Sequence, residues 1–292
     1  MPETHHDPSI PDGCGFVFAA TGETYITLAR RAARSLRAIH PDAEIDLFTD
    51  ADPGDTVFSD VHILSESWFR PKMEALRTSR FERTLFLDAD VMVIASLAPV
   101  FEVLERFDVA AAQDRYGAST AGLLHHTRAM PPAFPALNSG VLAMRRTPDT
   151  AALLAAWEHQ MKDTGAKRDQ PVLRELLYDS DLRVCTLPPG YNLLSFNELT
   201  SWWGMFGAPR VLHSPKLHKG RGGAGDPETP YTMAEVVGAK NAERIKHLLH
   251  ADPTVTPEAA PGTRRQNDPL EGDGLRGLRR RLAPYIRKLK GH

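Results

Sequence analysis

Thr84 to Ile94 reads TLFLDADVMVI, an apolar run interrupted by Asp88 and Asp90 and then resumed. Its first half is short and rich in Leu and Phe, the composition of a strand covered on both faces in a parallel sheet. Open α/β sheets bind their ligands beyond the carboxyl ends of such strands, which is where the two carboxylates fall. At positions i and i+2 of an extended backbone they point to the same side, within reach of one divalent cation. Hard cations such as Mn²⁺ or Mg²⁺ take carboxylate oxygens, with substrate phosphates and water completing the shell. The competing reading is a pair of solvated aspartates in a turn after a core strand.

The rest of the chain can support such a sheet. At 292 residues, 42% hydrophobic and 25% charged, it has the length and composition of a globular α/β protein. No apolar run approaches the roughly 20 residues of a membrane span. The N-terminus lacks the basic segment and apolar core of a signal peptide, so a cytoplasmic protein fits. Cys14 and Cys185 are the only cysteines, which argues against a disulfide framework or structural zinc. Seven Lys/Arg and no acid lie between Leu275 and the end, although the net charge is −2. The body is therefore mildly acidic, which argues against a nucleic-acid-binding surface.

In chain order, residues 1–14 read as a disordered leader and residues 15–250 as one domain. Strands are expected at 15–20, 44–49 and 61–64, with helices over 23–39 and from Pro71 to about Ser79. This alternation predicts a Rossmann-like, mostly parallel central sheet flanked by helices. A helix at 97–107 and a strand at 109–113 ending at Asp114 follow. Residues 115–137 form a long loop without periodicity, in which His125 and His126 have no partner at metal-ligand spacing. Asn138-Ser139-Gly140 opens a strand. Helices at 150–161 and 170–178, a strand at 183–187 and a short last strand at 210–213 complete the domain. Residues 251–274 read as a linker, and 275–292 as a basic helical tail. Leu275, Leu278, Leu282, Ile286 and Leu289 recur there at helical spacing among the cations, the pattern of a helix lying on an anionic membrane surface, with Pro284 set to kink it.

Asp88-Ala89-Asp90 at a strand end, Asn138-Ser139-Gly140, Asp169-Gln170 and His213, in that order, resemble the GT-A-fold glycosyltransferases, with the retaining glycosyltransferase family 8 as the best match. The likeness runs from about Phe16 to Lys219. It implies a Mn²⁺ (or Mg²⁺) ion held by Asp88, Asp90 and His213 against the diphosphate of a nucleotide-sugar, with a UDP-hexose as the expected donor. It further implies donor contacts from Thr21 and Tyr25 (base), Lys72 and Lys219 (diphosphate), Ala89 in the metal loop, Asp114 (sugar hydroxyls), and Asn138, Ser139 and Gly140 (close backbone approach to the sugar). Asp169 and Gln170 take the catalytic positions beside the anomeric carbon, and Asp169 also suits a helix N-cap. The expected acceptor is a saccharide or a lipid-linked glycan, with Trp202 and Trp203 as stacking candidates. A lipid acceptor fits a tail peripheral on the inner face of the plasma membrane.

The chain departs from the family where Thr21-Gly22 stands in place of acidic residues after the first strand. It departs again where Lys216 and Gly220-Arg221 stand in place of a glycine and a Pro-Trp pair after the histidine. Base recognition and the diphosphate clamp are expected to differ accordingly. Two alternatives stay open at this level: a non-catalytic nucleotide-sugar-binding domain of the same fold, and a haloacid-dehalogenase-type phosphatase reading of FLDADV.

Overall fold

In the computed structural model the described residues are 9–65, 70–114, 126–202, 204–218 and 224–255. Strand β1 (Cys14–Ala20) leads into helix α1 (Glu23–Ile39), then β2 (Ile45–Thr49) and β3 (Asp60–Ile63). Helix α2 (Pro71–Thr78) precedes β4 (Arg83–Leu87) and the short β5 (Val91–Val93). Helix α3 (Ala98–Val103), β6 (Val109–Gln113) and β7 (Leu137–Arg145) follow. Next come α4 (Pro148–Thr164), α5 (Asp169–Asp179), β8 (Val184–Leu187), β9 (Val211–His213), α6 (Met233–Val237) and α7 (Ala239–Ala251).

Seven strands form one sheet in the order β3-β2-β1-β4-β7-β6-β8, and β5 pairs with β9 in a separate two-stranded ribbon. Within the large sheet β7 alone runs antiparallel to its neighbours. That reversal positions the site. It brings the start of β7, with Asn138, Ser139 and Gly140, to the edge where β1, β4 and β6 end. The strand order also reverses between β1 and β4, the switch point at which open α/β sheets bind ligands.

Period-two alternation assigns the side chains of the central strands to the two faces. Phe16, Phe18, Leu85 and Leu87 pack with Leu28, Ala32 and Leu36 of α1 on one face. Val17 and Phe86 pack with Met73 of α2, Trp157 of α4 and Leu173 of α5 on the other. The strands are buried on both faces, which is why they read as unbroken apolar runs.

Most expected elements appear within a residue or two of their predicted limits, and the differences have local causes. Helix α3 stops at Val103, with turns continuing to residue 106. β7 begins at Leu137, so the Asn-Ser-Gly motif lies inside the strand. Asp88-Ala89-Asp90 occupies the turn between β4 and β5, and the expected extended spacing gives way to that turn. The chain joins the fold before residue 15, since the Gly13 carbonyl accepts hydrogen bonds from the Glu82 and Arg83 amides. At the other end, residues 251–255 belong to the body and do not open a linker. The Asp252 carboxylate accepts the Ala208 amide, 2.6 Å, and pairs with Arg210 at 3.4 Å. Helices α6 and α7 had no counterpart in the sequence reading. Residues 256–292, including the basic tail, lie outside the described residues, as do residues 115–125 of the long loop, His125 among them. No described helix is long and apolar enough to cross a membrane.

Candidate active site

The site is assembled from the ends of four strands. Asp88 follows β4, and its amide is fixed by the Gly140 carbonyl at 2.8 Å. β5 leaves the turn and pairs with β9 so that Val91 lies opposite His213. The Ser214 amide then bonds the Asp90 carbonyl at 2.9 Å. This ribbon brings a histidine from more than a hundred residues away to within 3.1 Å of Asp90 Oδ1 and 4.0 Å of Asp88 Oδ2, both measured from Nε2. One ligand atom from each of Asp88, Asp90 and His213 lies within 4.8 Å of the other two. Two carboxylates and an imidazole suit Mn²⁺, so the residues fit the expected ion.

Gly140 supports the same fit. A Cβ built there would meet His213 Cε1 at 2.4 Å and Asp88 Oδ2 at 2.7 Å. The sequence reading assigned this glycine to close approach of the sugar. In the structure the close approach is to two of the metal-ligand candidates. Ala89, between the aspartates, is buried in the core face of the sheet.

Lys72 ties this cluster to the acidic pair. From the first turn of α2 its ammonium reaches Asp88 Oδ1 at 3.2 Å, Asp169 Oδ2 at 3.3 Å and Ser139 Oγ at 3.1 Å. Burial opposes the ammonium charge, but Asp169 and Asp88 outweigh it and hold the Lys72 pKa above the usual lysine value. Burial likewise opposes the Asp169 charge. Lys72, Arg70 and the Ser139 hydroxyl overcome it and bring the carboxyl down to about 2. Burial is overcome a third time in the His213–Asp90 pair, where mutual attraction raises the histidine pKa and lowers that of the aspartate.

Asp169 does not cap its helix. Arg168 is the N-cap residue of α5, and Asp169 turns inward to accept the Ser139 hydroxyl at 2.8 Å. Trp157, fully buried on α4, fixes this end of α5 by donating its ring N–H to the Asp169 carbonyl at 3.1 Å. Gln170 follows, half-buried. Asp114 accepts Asn138 Nδ2 at 3.0 Å, and both are buried.

The remaining site residues fall farther out. Thr21 and Gly22 follow β1. The Gly22 amide donates to both oxygens of Asp50, at 3.0 and 3.1 Å, so a carboxylate does stand at this strand end, contributed by β2 and not β1. Gly22 has φ 77°, a conformation that a side chain would strain. Tyr25, 46% exposed on α1, sets its ring 5.8 Å from that of His218. His218 in turn places Nε2 3.4 Å from Asp90 Oδ2. Lys219 and Trp203 lie outside the described residues. Trp202 is not a free stacking platform. It is 7% exposed, and its ring N–H is held by the Gly207 carbonyl at 2.8 Å. Among the described residues of this segment, the aromatic ring most exposed to solvent is Phe206, at 62%.

Four residues of the site have no counterpart in the sequence reading: Arg70, 3.8 Å from Asp169; Asn192, 2.9 Å from His213 Nδ1; Asp50; and His218. Asn192 lies in an irregular segment with no periodicity to mark it, and Asp50 is one acid among many at a strand end. His218 lies five residues after the candidate ligand His213, between Lys216 and Lys219, with no motif of its own to mark it.

The profile of the nucleotide-diphospho-sugar transferases matches residues 25–217, about two thirds of the sequence. The chain belongs to that family. The match spans the metal-ligand candidates, Lys72, the Asn-Ser-Gly motif and the acidic-Gln pair. Among solved structures, the glycosyltransferase GlyE of Streptococcus pneumoniae TIGR4 superposes with TM-score 0.52 at 18% identity, covering 68% of this chain and 53% of that one. Its apo form gives 0.54 at 16%, covering 78% and 59%. The galactosyltransferase LgtC, solved with donor and acceptor sugar analogues, gives 0.49 at 21%, covering 82% and 97%. The chain thus spans about half the length of the GlyE chain it matches first. The fold is GT-A, related to that of family 8. A search of curated proteins returned no match. The phosphatase alternative loses its support, because the aspartates follow the fourth strand of the sheet and the family is a transferase family.

Proposed function

We propose that the protein is a metal-dependent glycosyltransferase. It moves a hexose from a nucleotide-diphosphate donor, UDP-hexose by family resemblance, to a saccharide or lipid-linked acceptor with retention of anomeric configuration. The observation that carries this reading is the convergence of Asp88, Asp90, His213, Lys72 and Asp169 into one interlocked cluster at the switch point of the sheet. In the reaction, the bond from the anomeric carbon to the diphosphate oxygen breaks and a bond to the acceptor oxygen forms. The acceptor hydroxyl proton passes to the leaving diphosphate on the same face of the sugar. A divalent cation bound by Asp88, Asp90 and His213 supplies Lewis-acid stabilisation of the charge on the diphosphate. Lys72 adds a fixed positive charge beside it, while Asp169 and Asp114 orient the sugar through its hydroxyls. Gln170 lines the anomeric carbon. Catalysis on this reading is positioning and electrostatics, with no covalent enzyme intermediate.

The test is thermal stability against a panel of nucleotide-sugars, with and without Mn²⁺, followed by turnover of any donor that binds. A ligand that binds only the native state raises its stability. A shift that requires both Mn²⁺ and one donor, with release of the nucleotide, supports the reading. Binding without turnover returns the non-catalytic alternative, and no shift with any donor sinks both. For the tail, removal of residues 275–292 is expected to weaken binding to anionic liposomes more than hydrolysis of free donor. Equal loss of both would contradict a membrane role for it.

A further inference from the structure

The ring of His213 has two nitrogens, and only the one facing the aspartates can serve a metal. Which nitrogen carries the proton is fixed by a buried chain of hydrogen bonds that starts at Asp114, at the end of β6. Asp114 is an acceptor, so the Asn138 group 3.0 Å from its Oδ2 is the Nδ2 donor. Asn138 Oδ1 then accepts two hydrogen bonds, from the Gly140 amide at 2.9 Å and from Asn192 Nδ2 at 2.8 Å. With its amide nitrogen so committed, Asn192 presents Oδ1 to His213 Nδ1 at 2.9 Å. An amide oxygen can only accept, so Nδ1 must donate. The neutral ring therefore has its lone pair on Nε2, 3.1 Å from Asp90 Oδ1. With the ring neutral, two acceptors face each other there, an arrangement satisfied by a metal ion between them or, without one, by a second proton on Nε2 shared with Asp90.

We infer that Asn192 is a positioning residue for the metal centre: it holds His213 in the tautomer that offers Nε2 to the ion and, through Asn138, ties the histidine to the sugar-facing Asp114. This rests on the metal reading above. The backbone supports the assignment. Asn192 ends a 3₁₀ turn (Pro189–Asn192), and the next residue, Leu193, donates to the Val211 carbonyl at 2.9 Å and accepts the His213 amide at 3.0 Å. The amide side chain is thereby locked beside the strand that carries its target. Partners of this kind, bonded to the distal nitrogen of a metal-bound histidine, typically change metal affinity 10–100-fold when removed.

The experiment uses the full chain stripped of metal, without nucleotide-sugar. Mn²⁺ binding is followed by the electron paramagnetic resonance of the free ion for the wild type, Asn192→Ala and Asn192→Asp. The His213 tautomer is read from ¹⁵N-histidine spectra at a pH where the ring is neutral. The wild type should carry its proton on Nδ1. Asn192→Ala should lose roughly 10–100-fold in Mn²⁺ affinity and show mixed tautomers. Asn192→Asp keeps the acceptor for Nδ1 and should hold Mn²⁺ near the wild-type affinity, although it gives up the donation to Asn138. A wild-type proton on Nε2 overturns the inference without any variant having to fold. So does unchanged Mn²⁺ affinity in Asn192→Ala. Failure of the wild type to bind Mn²⁺ would instead sink the metal reading, and this inference with it.

Discussion

Around Lys72 the side chains are bound to one another, with Asp169 and Ser139 buried and Asp88 half-buried: the ammonium touches all three within 3.3 Å. On the side proposed for the base, Tyr25 stands 46% exposed and the Asp50 carboxylate lies in solvent, bonded to the Gly22 amide. The inner half is preorganised, its charges fixed before any ligand arrives, which is the arrangement that stabilises developing charge most effectively. The rim is not built that way. Side chains there can be exchanged at little cost to folding, so on the proposed reading base preference would drift at the rim while the reaction is retained. This matches the sequence departures, which fall at Thr21-Gly22 and after His213 and leave the inner set intact. Substitutions inside should therefore alter stability and chemistry together, and those at the rim should alter binding alone.

The largest effect is expected for Asp88→Ala and Asp90→Ala. Each removes one oxygen ligand and should lower donor turnover by about 10³-fold, the scale on which metal stabilisation of a leaving group operates. Retained turnover in either variant would break the metal assignment. Gly140→Ala probes the same cluster without changing a charge. Its Cβ would drive His213 Cε1 and Asp88 Oδ2 apart, so Mn²⁺ affinity should fall together with about 1–3 kcal/mol of stability. Loss of affinity at unchanged stability would show that the two ligands move freely, and the contrast between core and rim would weaken.

The acid limb of stability tests the inner half by another route. The Asp169 pKa is depressed from 3.8 to about 2, so its ionised form favours the folded state. That contribution is present in full above about pH 4 and is lost as pH falls toward 2. It amounts to roughly 2 kcal/mol by linkage. Asn at this position removes it while Lys72 keeps Asp88 as a partner. Chemical denaturation from pH 2 to 6 should show Asp169→Asn less stable than the wild type above pH 4, with the gap closing in acid. A constant gap would mean that Asp169 acts by packing alone. Lys72, with its pKa raised, contributes at the opposite limit: its stabilisation holds below the usual lysine range and is lost only as pH climbs through the raised value.

The inner half was also the more legible part of the sequence. β1 and β4 are covered on both faces, so burial wrote their centres as apolar runs, and β2 reads the same way apart from its buried Asp46; α1 is bounded at Glu23 and Ile39 by its own periodicity. Asp88, Asp90, Asp169 and His213 stood out because charged or ligating residues at element ends are uncommon beside apolar runs. What could not be read was pairing between distant segments. Nothing in residues 191–206 announces that Asn192 bonds both Asn138 and His213, because an isolated amide has no period. The aspartate pair was assigned an extended spacing, yet a turn converges the carboxylates equally well once β5 folds back on β9. Helices α6 and α7 were missed because a Gly/Pro-rich lead-in and Gly238 divide their apolar period into pieces of 5 and 13 residues.

The smallest effect on the fold belongs to the rim, and it is the sharpest test of the comparison. Tyr25 lies on the solvent side of α1, so Tyr25→Ala should change stability by no more than about 0.5 kcal/mol. If its ring carries the base, removal costs the stacking energy of one base on one aromatic, about 1–3 kcal/mol, or roughly 5- to 150-fold in donor affinity. The proposed chemistry does not pass through Tyr25, so turnover at saturating donor should survive. Calorimetry of nucleoside diphosphate binding, with denaturation of the metal-free protein beside it, separates the two quantities. A variant that loses affinity at constant stability places the base on this helix. One that loses neither moves the base toward the Asp50 carboxylate, and one that loses both shows that Tyr25 belongs to the same locked structure as Lys72.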